Sequence, residues 1–301
     1  MDDWDKINAV DRMQSYIQDH LDEEITMQDL SDAAGYSLWH SLRLFKEYLQ
    51  KTPFEYIRAM RLTAAARQLR DSPAKVIDAA MDHGFDSHDG FTRAFSKHFQ
   101  ITPRRYQNEK PPVRYFTHYP IRHSYLHNTK RSDETMKKGL SSTITVQAAE
   151  RPARKMILLR SAHAADYFSF CEEKGCEWEG LLNSVAEKMD AAACITLPMN
   201  LTAAGTSPIA AGIEVPADYA KAVPEGYDII DLPPCTLLYF RGMPYENEED
   251  FGEAITIAFD AVEHYKPELY GYALADELCP RFNFGASGDT GAKLAIPVKP
   301  L

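Results

Sequence analysis

The chain has 301 residues, 45% hydrophobic and 26% charged, which is enough apolar material for a core and excludes wholesale disorder. Its formal net charge is −11, which as a total argues against a polyanionic partner. No apolar run approaches about 18 residues, so no membrane contact is expected. The acidic start Met1-Asp2-Asp3-Trp4-Asp5 does not read as a secretory signal. The five cysteines, Cys171, Cys176, Cys194, Cys235 and Cys279, form no CxxC pair, and free thiols in a cytoplasmic protein are expected.

In chain order, residues 1–107 read as nearly all helix. Thr26-Met27-Gln28-Asp29 and Thr52-Pro53-Phe54-Glu55 place a capping hydroxyl three residues before an acid. Ser72-Pro73 and Thr102-Pro103 predict two further starts, and Ser37 and Ser87 cap two more. The spacing predicts a helix over 27–34, a turn at Gly35 to Ser37 and a second helix over 38–50. It predicts the same unit over 74–81, His83-Gly84-Phe85 and 87–99. Arg43-Leu44-Phe45 recurs as Arg93-Ala94-Phe95, Gln50 as Gln100, and Thr52-Pro53-x-x-Tyr56 as Thr102-Pro103-x-x-Tyr106, each 50 residues on. Gly35-Tyr36 recurs as Gly84-Phe85 at an offset of 49. A short helix, a glycine turn and a second helix, seen twice, is the spacing of a duplicated helix-turn-helix.

Helical periodicity divides the faces of the second helices. Leu44, Phe45, Tyr48 and Leu49 form an apolar stripe in the first copy, with Trp39, Arg43 and Lys46 elsewhere. Phe91, Ala94, Phe95 and Phe99 form it in the second, with His88, Asp89, Thr92, Arg93 and Ser96 facing away. Arginine can fork onto guanine O6 and N7, and aspartate can accept from cytosine N4 or hold a neighbouring arginine. The charge follows the same division. Residues 1–37 carry 2 basic and 10 acidic groups, whereas residues 38–110 carry 13 and 8. The acidic total hides a basic segment that begins where the first of these helices begins, as phosphate contact requires.

Residues 108–142 lose periodicity, hold Pro111, Pro112, Pro120 and Lys130-Arg131-Ser132-Asp133-Glu134, and read as a linker. His118, His123 and His127 in it read as surface residues. From residue 143 to 301, alternating apolar runs such as Ile144-Thr145-Val146 and Met156-Ile157-Leu158-Leu159 signal strands with helices between, an α+β pattern. The segment from Pro152 to Arg160 recurs 81 residues later from Pro233 to Arg241, which predicts two similar units about a pseudo-two-fold axis.

The run from Gly84 to Phe99, with Thr102-Pro103-x-x-Tyr106, resembles the signature of the AraC/XylS family of transcription regulators. The resemblance covers about residues 5–107. It implies a seven-helix domain over 1–107 whose two helix-turn-helix units are joined by a long helix, here 54–69. Carried over by position, base-reading sites fall on Trp39, Leu42 and Arg43, and on His88, Asp89 and Arg93; Lys46 and Thr92 on the same helices are further DNA-binding candidates. Leu42 stands where polar residues are common, so a thymine methyl is its expected contact. Double-stranded promoter DNA and RNA polymerase are the implied partners, with activation the expected outcome.

The run from Asp231-Leu232-Pro233-Pro234 through Leu237 to Gly242, then Pro244-Tyr245, a helix over 251–265 and a closing strand over 293–298, resembles the GyrI-like effector-binding domain. That implies a duplicated strand-helix-strand-strand fold with a pocket for a small, hydrophobic or aromatic effector between the halves. Candidate pocket residues are Trp178, Tyr239, Tyr245, Tyr272, Phe282 and Phe284, with Glu277 as the acid that would meet a cation. Asn283, not an acid, lies between Phe282 and Phe284, where a carboxylate would suit a cationic ligand. Cys171 and Cys176 with the nearby glutamates match no zinc spacing, so neither metal nor cofactor is expected. The whole reads as a ligand-modulated transcription regulator and not an enzyme. The alternatives for residues 143–301 are a small-molecule hydrolase, with Glu277 or a tyrosine as general acid or base, and a module that only sequesters its ligand.

Overall fold

The computed structural model describes residues 3–122, 140–247 and 250–301, and the chain divides into two compact units, Met1–Asp133 and Glu134–Leu301. His123, His127 and the charged segment from Lys130 lie outside the described residues. No helix among those described is long and apolar enough to cross a membrane.

The first unit holds α1 (Asp3–Asp19), α2 (Met27–Ala34), α3 (Leu38–Leu49), α4 (Pro53–Asp71), α5 (Val76–Asp82), α6 (His88–Phe99) and α7 (Pro103–Glu109). Two cores share α4. Its first turns place Tyr56 and Ile57 among Val10, Met13, Leu30, Leu44 and Phe45. Its last turns place Leu62, Ala65, Ala66 and Leu69 among Ala79, Phe91, Phe95, Phe99 and Tyr106. The two ends therefore belong to different helix-turn-helix units, so α4 is the rigid spacer between them.

The 50-residue repeat has a physical basis at each of its points. Thr26 and Thr52 close capping boxes with Asp29 and Glu55, and Ser37 and Ser87 cap α3 and α6. Gln50 and Gln100 end those helices in the left-handed region, at φ 55° and 58°, where a residue other than glycine is strained. Each offsets the strain by donating from Nε2 to a carbonyl three residues back, Glu47 at 2.7 Å and Lys97 at 2.8 Å. Tyr56 meets Phe45 edge-on at 5.4 Å, and Tyr106 meets Phe95 at 5.7 Å. The two turns need left-handed backbone at Gly35 (φ 73°) and Gly84 (φ 70°). The N–H groups of Tyr36 and Phe85 then reach back to Ser31 and Ala80, which closes α2 and α5 in the same way.

One predicted start fails. Ser72 ends α4 instead of opening α5, because its amide and hydroxyl both donate to the Gln68 carbonyl; α5 begins later, behind Lys75, with no side-chain cap. The segment read as a linker is not uniform either. Val113 and Tyr115 are buried in the second core, and Phe116 and Ile121 pack on the first. The Phe116 amide donates to Thr63, Gln14 bonds both the Tyr119 carbonyl and the Ile121 amide, and Arg122 pairs with Asp11. His118 is half-buried with its Nδ1 against the Tyr56 hydroxyl, so it is a packing residue and not a free surface one. Residues 113–122 thus form a strap across both cores. Its missing periodicity has a plain cause: an irregular segment packs wherever its side chains happen to fall.

The second unit is a sheet of nine strands among the described residues, antiparallel throughout: β1 (Thr145–Arg151), β2 (Arg154–Arg160), β3 (Ala193–Thr196), β4 (Ile209–Pro216), β5 (Asp228–Leu232), β6 (Cys235–Arg241), β7 (Tyr272–Leu274), β8 (Arg281–Ser287) and β9 (Gly291–Pro300). The order is β1-β6-β9-β8-β3-β4-β2-β5, with β7 also on β9. This order is palindromic. Exchanging β1 with β5, β2 with β6, β3 with β8 and β4 with β9 returns the same order read from the opposite edge. The register repeats too: Arg151 opposes Cys235 as Leu232 opposes Arg154, each residue moving by 81 places. A simple strand-helix-strand-strand unit omits one feature. The leading strand of each half pairs inside the other half.

Strand alternation divides the sheet faces. Ile157, Ala211, Ile213 and Val215 lie under α8 (Tyr167–Lys174) and α9 (Glu177–Asn183). Leu238, Phe240, Leu294, Ile296 and Val298 lie under α10 (Phe251–His264). The alternate residues Met156, Leu158, Ile195, Leu237, Tyr239, Phe282 and Ala295 share another cluster that takes in both halves.

Candidate functional site

Helices α3 and α6 bury Leu44 and Phe45, and Phe91, Phe95 and Phe99, against the cores and leave the opposite faces open. Trp39 is 70% exposed, an unusual placement for the largest apolar side chain unless something covers it. Leu42 sits beside it at 36%. Arg43 and Lys46 are exposed, and the Arg43 guanidinium stands 5.4 Å from the Trp39 ring centre, one helical turn away. His88, Asp89 and Arg93 are exposed on α6. Asp89 approaches His88, at 3.4 Å. No ion pair holds Arg43, Lys46 or Arg93 among the described residues. Thr92 departs from its expected place: it is half-buried, and its hydroxyl oxygen is turned inward. The candidate residues left open on α3 and α6 are therefore three cations in no ion pair among the described residues, with an indole, a histidine and a carboxylate, and the exposed Glu47 and Lys97 lie one turn beyond Arg43 and Arg93. That set suits an anionic partner with flat groups.

The seven candidate pocket residues do not converge. Tyr239, Phe282 and Phe284 come together on the face turned away from α8, α9 and α10, with Phe284 stacked at 5.7 Å on Phe282 and at 6.2 Å on Tyr239. Trp178 is buried under the first half among Phe170 and Leu182. Tyr245 and Tyr272 pack on the α10 side with Leu238 and Phe240 of β6, whereas Tyr239 points to the other face, because odd and even positions of β6 alternate. Glu277 is exposed and pairs with Lys299 at 2.9 Å, whose ammonium lowers its pKa. It is not the acid of an aromatic pocket.

Sequence reasoning missed the charged groups that surround Tyr239. The Tyr239 hydroxyl donates to Asp190 at 2.9 Å and accepts from Arg151. Lys293 pairs with Asp190 at 2.6 Å and stands 4.0 Å from the centre of Phe284 and 5.0 Å from that of Tyr239. Glu214, 2% exposed, is held by Arg154 and by Arg151 at 3.3 Å. Burial works against the Asp190 charge, but the Lys293 ammonium together with the Ala191 amide and the Tyr239 hydroxyl holds the carboxyl below its ordinary range. Burial and the Asp190 charge raise the Tyr239 hydroxyl far above an ordinary phenol. These residues come from β1, β2, β4, β6, β9 and the loop before β3. Nothing in linear spacing unites them, although strand parity predicts the shared face of Arg154, Glu214, Tyr239 and Lys293.

A family model described as a helix-turn-helix domain matches residues 30–109. Over 95 residues the chain is 39% identical to the Transposon Tn10 TetD protein of Escherichia coli, covering 32% of this chain and 69% of that one. Over 107 residues it is 36% identical to the transcriptional regulator Rob of Salmonella typhimurium, covering 33% of this chain and 37% of Rob, so it spans little more than a third of that relative. Among solved structures, a transcriptional regulator of Chromobacterium violaceum described by its AraC-type DNA-binding domain is 27% identical over 34% of this chain and 90% of that one, with a TM-score of 0.32.

Proposed function

The chain belongs to the AraC-type helix-turn-helix family of transcription regulators, and on that premise we propose that it binds promoter DNA through α3 and α6 and answers to a small molecule held by the sheet unit. The observation that carries the first part is the pair of matched, open helix faces. Trp39, Leu42, Arg43 and Lys46 on one, and His88, Asp89 and Arg93 on the other, are the residues that reach base edges and phosphates. Leu42 and the Trp39 ring supply apolar contact to thymine methyls; Arg43 and Arg93 read guanine. Thr92 contributes backbone position more than its hydroxyl.

Residues 1–107 read DNA, braced by the strap over 113–122, and residues 143–301 bind the effector. Activation through RNA polymerase, in the cytoplasm, is the outcome we assign. Tyr239, Phe282 and Phe284 are the aromatic surface for the effector. Lys293 and Arg151 already occupy the ring faces with cations of the chain's own, so the favoured ligand is a neutral or anionic aromatic molecule rather than a cation. A hydrolase reading gains no support from Glu277, which is exposed and salt-bridged.

The test is selection of bound sequences from random duplex DNA by the full chain, followed by binding to the selected site. Arg43→Ala and Arg93→Ala each weaken the selected site by about 1–3 kcal/mol and relax preference at one base pair. Unchanged affinity and preference in both variants would sink the groove assignment.

A further inference from the structure

We propose that Cys235 and Cys279 form an oxidant-reactive dithiol site that takes hydroperoxides as its co-reactant and closes to a disulfide. The two residues are 44 apart in sequence, and their sulfurs lie 3.7 Å from each other. Cys235 opens β6, and Cys279 sits in the turn before β8. The Arg154 guanidinium stands against Cys235, with Nη2 3.3 Å from its sulfur. Arg154 is fully buried and cannot leave. Glu214 holds its Nε, and the carbonyls of Pro152 at 3.2 Å and Pro233 at 2.8 Å hold its Nη1.

A fixed, desolvated cation beside a thiol favours the thiolate, which is the reactive form. The bond from Cys279 and the charge of Arg154 lower the Cys235 thiol, against burial and the Glu214 charge; the same pairing raises Cys279. The two sulfurs therefore divide the roles. Cys235 is the attacking thiolate and is half-buried, within reach of a small oxidant. Cys279 is the buried partner that stays protonated.

The reaction proceeds in two steps. The Cys235 thiolate attacks the terminal oxygen of the hydroperoxide, the O–O bond breaks, and the alkoxide leaves with a proton as alcohol or water. This yields a sulfenic acid. The Cys279 sulfur then attacks the Cys235 sulfur, the S–O bond breaks, and hydroxide departs with the Cys279 proton as water. Two thiols and one hydroperoxide give one disulfide, one alcohol and one water. The sulfurs must close from 3.7 Å to about 2.05 Å for the bond to form. The other thiols lack this arrangement. Cys194 is buried, and burial pushes it up to about 12. Cys171 and Cys176 approach each other among Tyr167, Trp178 and Glu179, with no cation among the groups that shift them.

The test treats the reduced full chain with a small molar excess of hydrogen peroxide, then alkylates, digests and weighs the peptides. A peptide joining Cys235 to Cys279, with two of the five thiols lost and both regained on adding dithiothreitol, is the expected result. The same loss is expected in C171S/C176S. In C279S, peroxide is expected to leave Cys235 as a sulfenic acid that dimedone traps. The proposal is overturned if the wild-type chain keeps both thiols open to alkylation, or if only a Cys171–Cys176 cross-link forms. It is also overturned if Cys235 takes no dimedone in C279S. The wild-type measurement stands whether or not the variants fold.

Discussion

Replacing Tyr115 by alanine tests whether residues 113–122 are part of the folded unit. Tyr115 is 3% exposed, its hydroxyl lies 2.7 Å from that of Tyr106, and the guanidinium carbons of Arg67 and Arg70 stand 5.4 and 5.6 Å from its ring centre. Emptying such a site costs about 3–5 kcal/mol from lost packing. Tyr106 is fully buried and would lose the partner of its hydroxyl, which adds about 1–3 kcal/mol. Tyr115→Phe separates the two effects. It keeps the ring and loses only the hydroxyl bond, so about 1–3 kcal/mol is expected. At roughly 4 °C per kcal/mol for a unit of this size, the helical unit's calorimetric transition in the full chain falls by roughly 16–32 °C for Tyr115→Ala, both costs taken together, and roughly 4–12 °C for Tyr115→Phe. A fall below about 4 °C for Tyr115→Ala would mean that the strap adds nothing to the cores, and equal falls for the two variants would refute the packing argument.

Four further outcomes follow from the same reasoning. Glu214→Leu leaves Arg154 buried without its carboxylate and costs about 3–5 kcal/mol in urea unfolding, whereas R154M/E214L regains most of it; a double variant no better than the single would contradict a simple charge pair. Gln100→Ala keeps the left-handed turn without its side-chain bond and loses about 0.5–1.5 kcal/mol, whereas Gln100→Gly is close to neutral, which a thermal melt distinguishes. The Glu173 carboxylate accepts from the amides of Ala162 and His163, which lower it to about 2, so it stabilises above the ordinary glutamate range and ceases to as pH falls through about 2. Glu173→Gln therefore lowers the melting temperature at neutral pH, and the gap closes toward pH 2; a gap constant with pH would show that the charge is not the cause. Lys46→Ala weakens binding evenly across DNA sequences and reduces the salt slope by about one, and a base-dependent loss would assign it to readout instead.

Local chemistry carried most of the helical unit. Caps, the glycine turns and the 50-residue offset lie within one or two turns of the residues they fix, so they can be read from the chain alone. The exposed faces of α3 and α6 followed from 3.6-residue periodicity for the same reason. Where two local rules competed, as at Ser72-Pro73, only packing decided whether the serine closed one helix or opened the next. Thr92 shows a similar limit, since periodicity places a residue on a face but not its hydroxyl. The strap was illegible, because irregular segments have no period.

In the sheet unit the sequence determined that there are two copies, 81 residues apart, and which residues alternate. It could not determine that β1 and β5 exchange halves, because that pairing is set by strands far apart in the chain. The scattering of the aromatic candidates has the same origin. Tyr239 and Tyr245 are near in sequence yet on opposite faces, whereas Tyr239, Asp190, Arg151 and Lys293 meet from four separate segments. Composition selected aromatic residues as candidates, but only tertiary structure shows which aromatics carry charged neighbours and which merely fill the core.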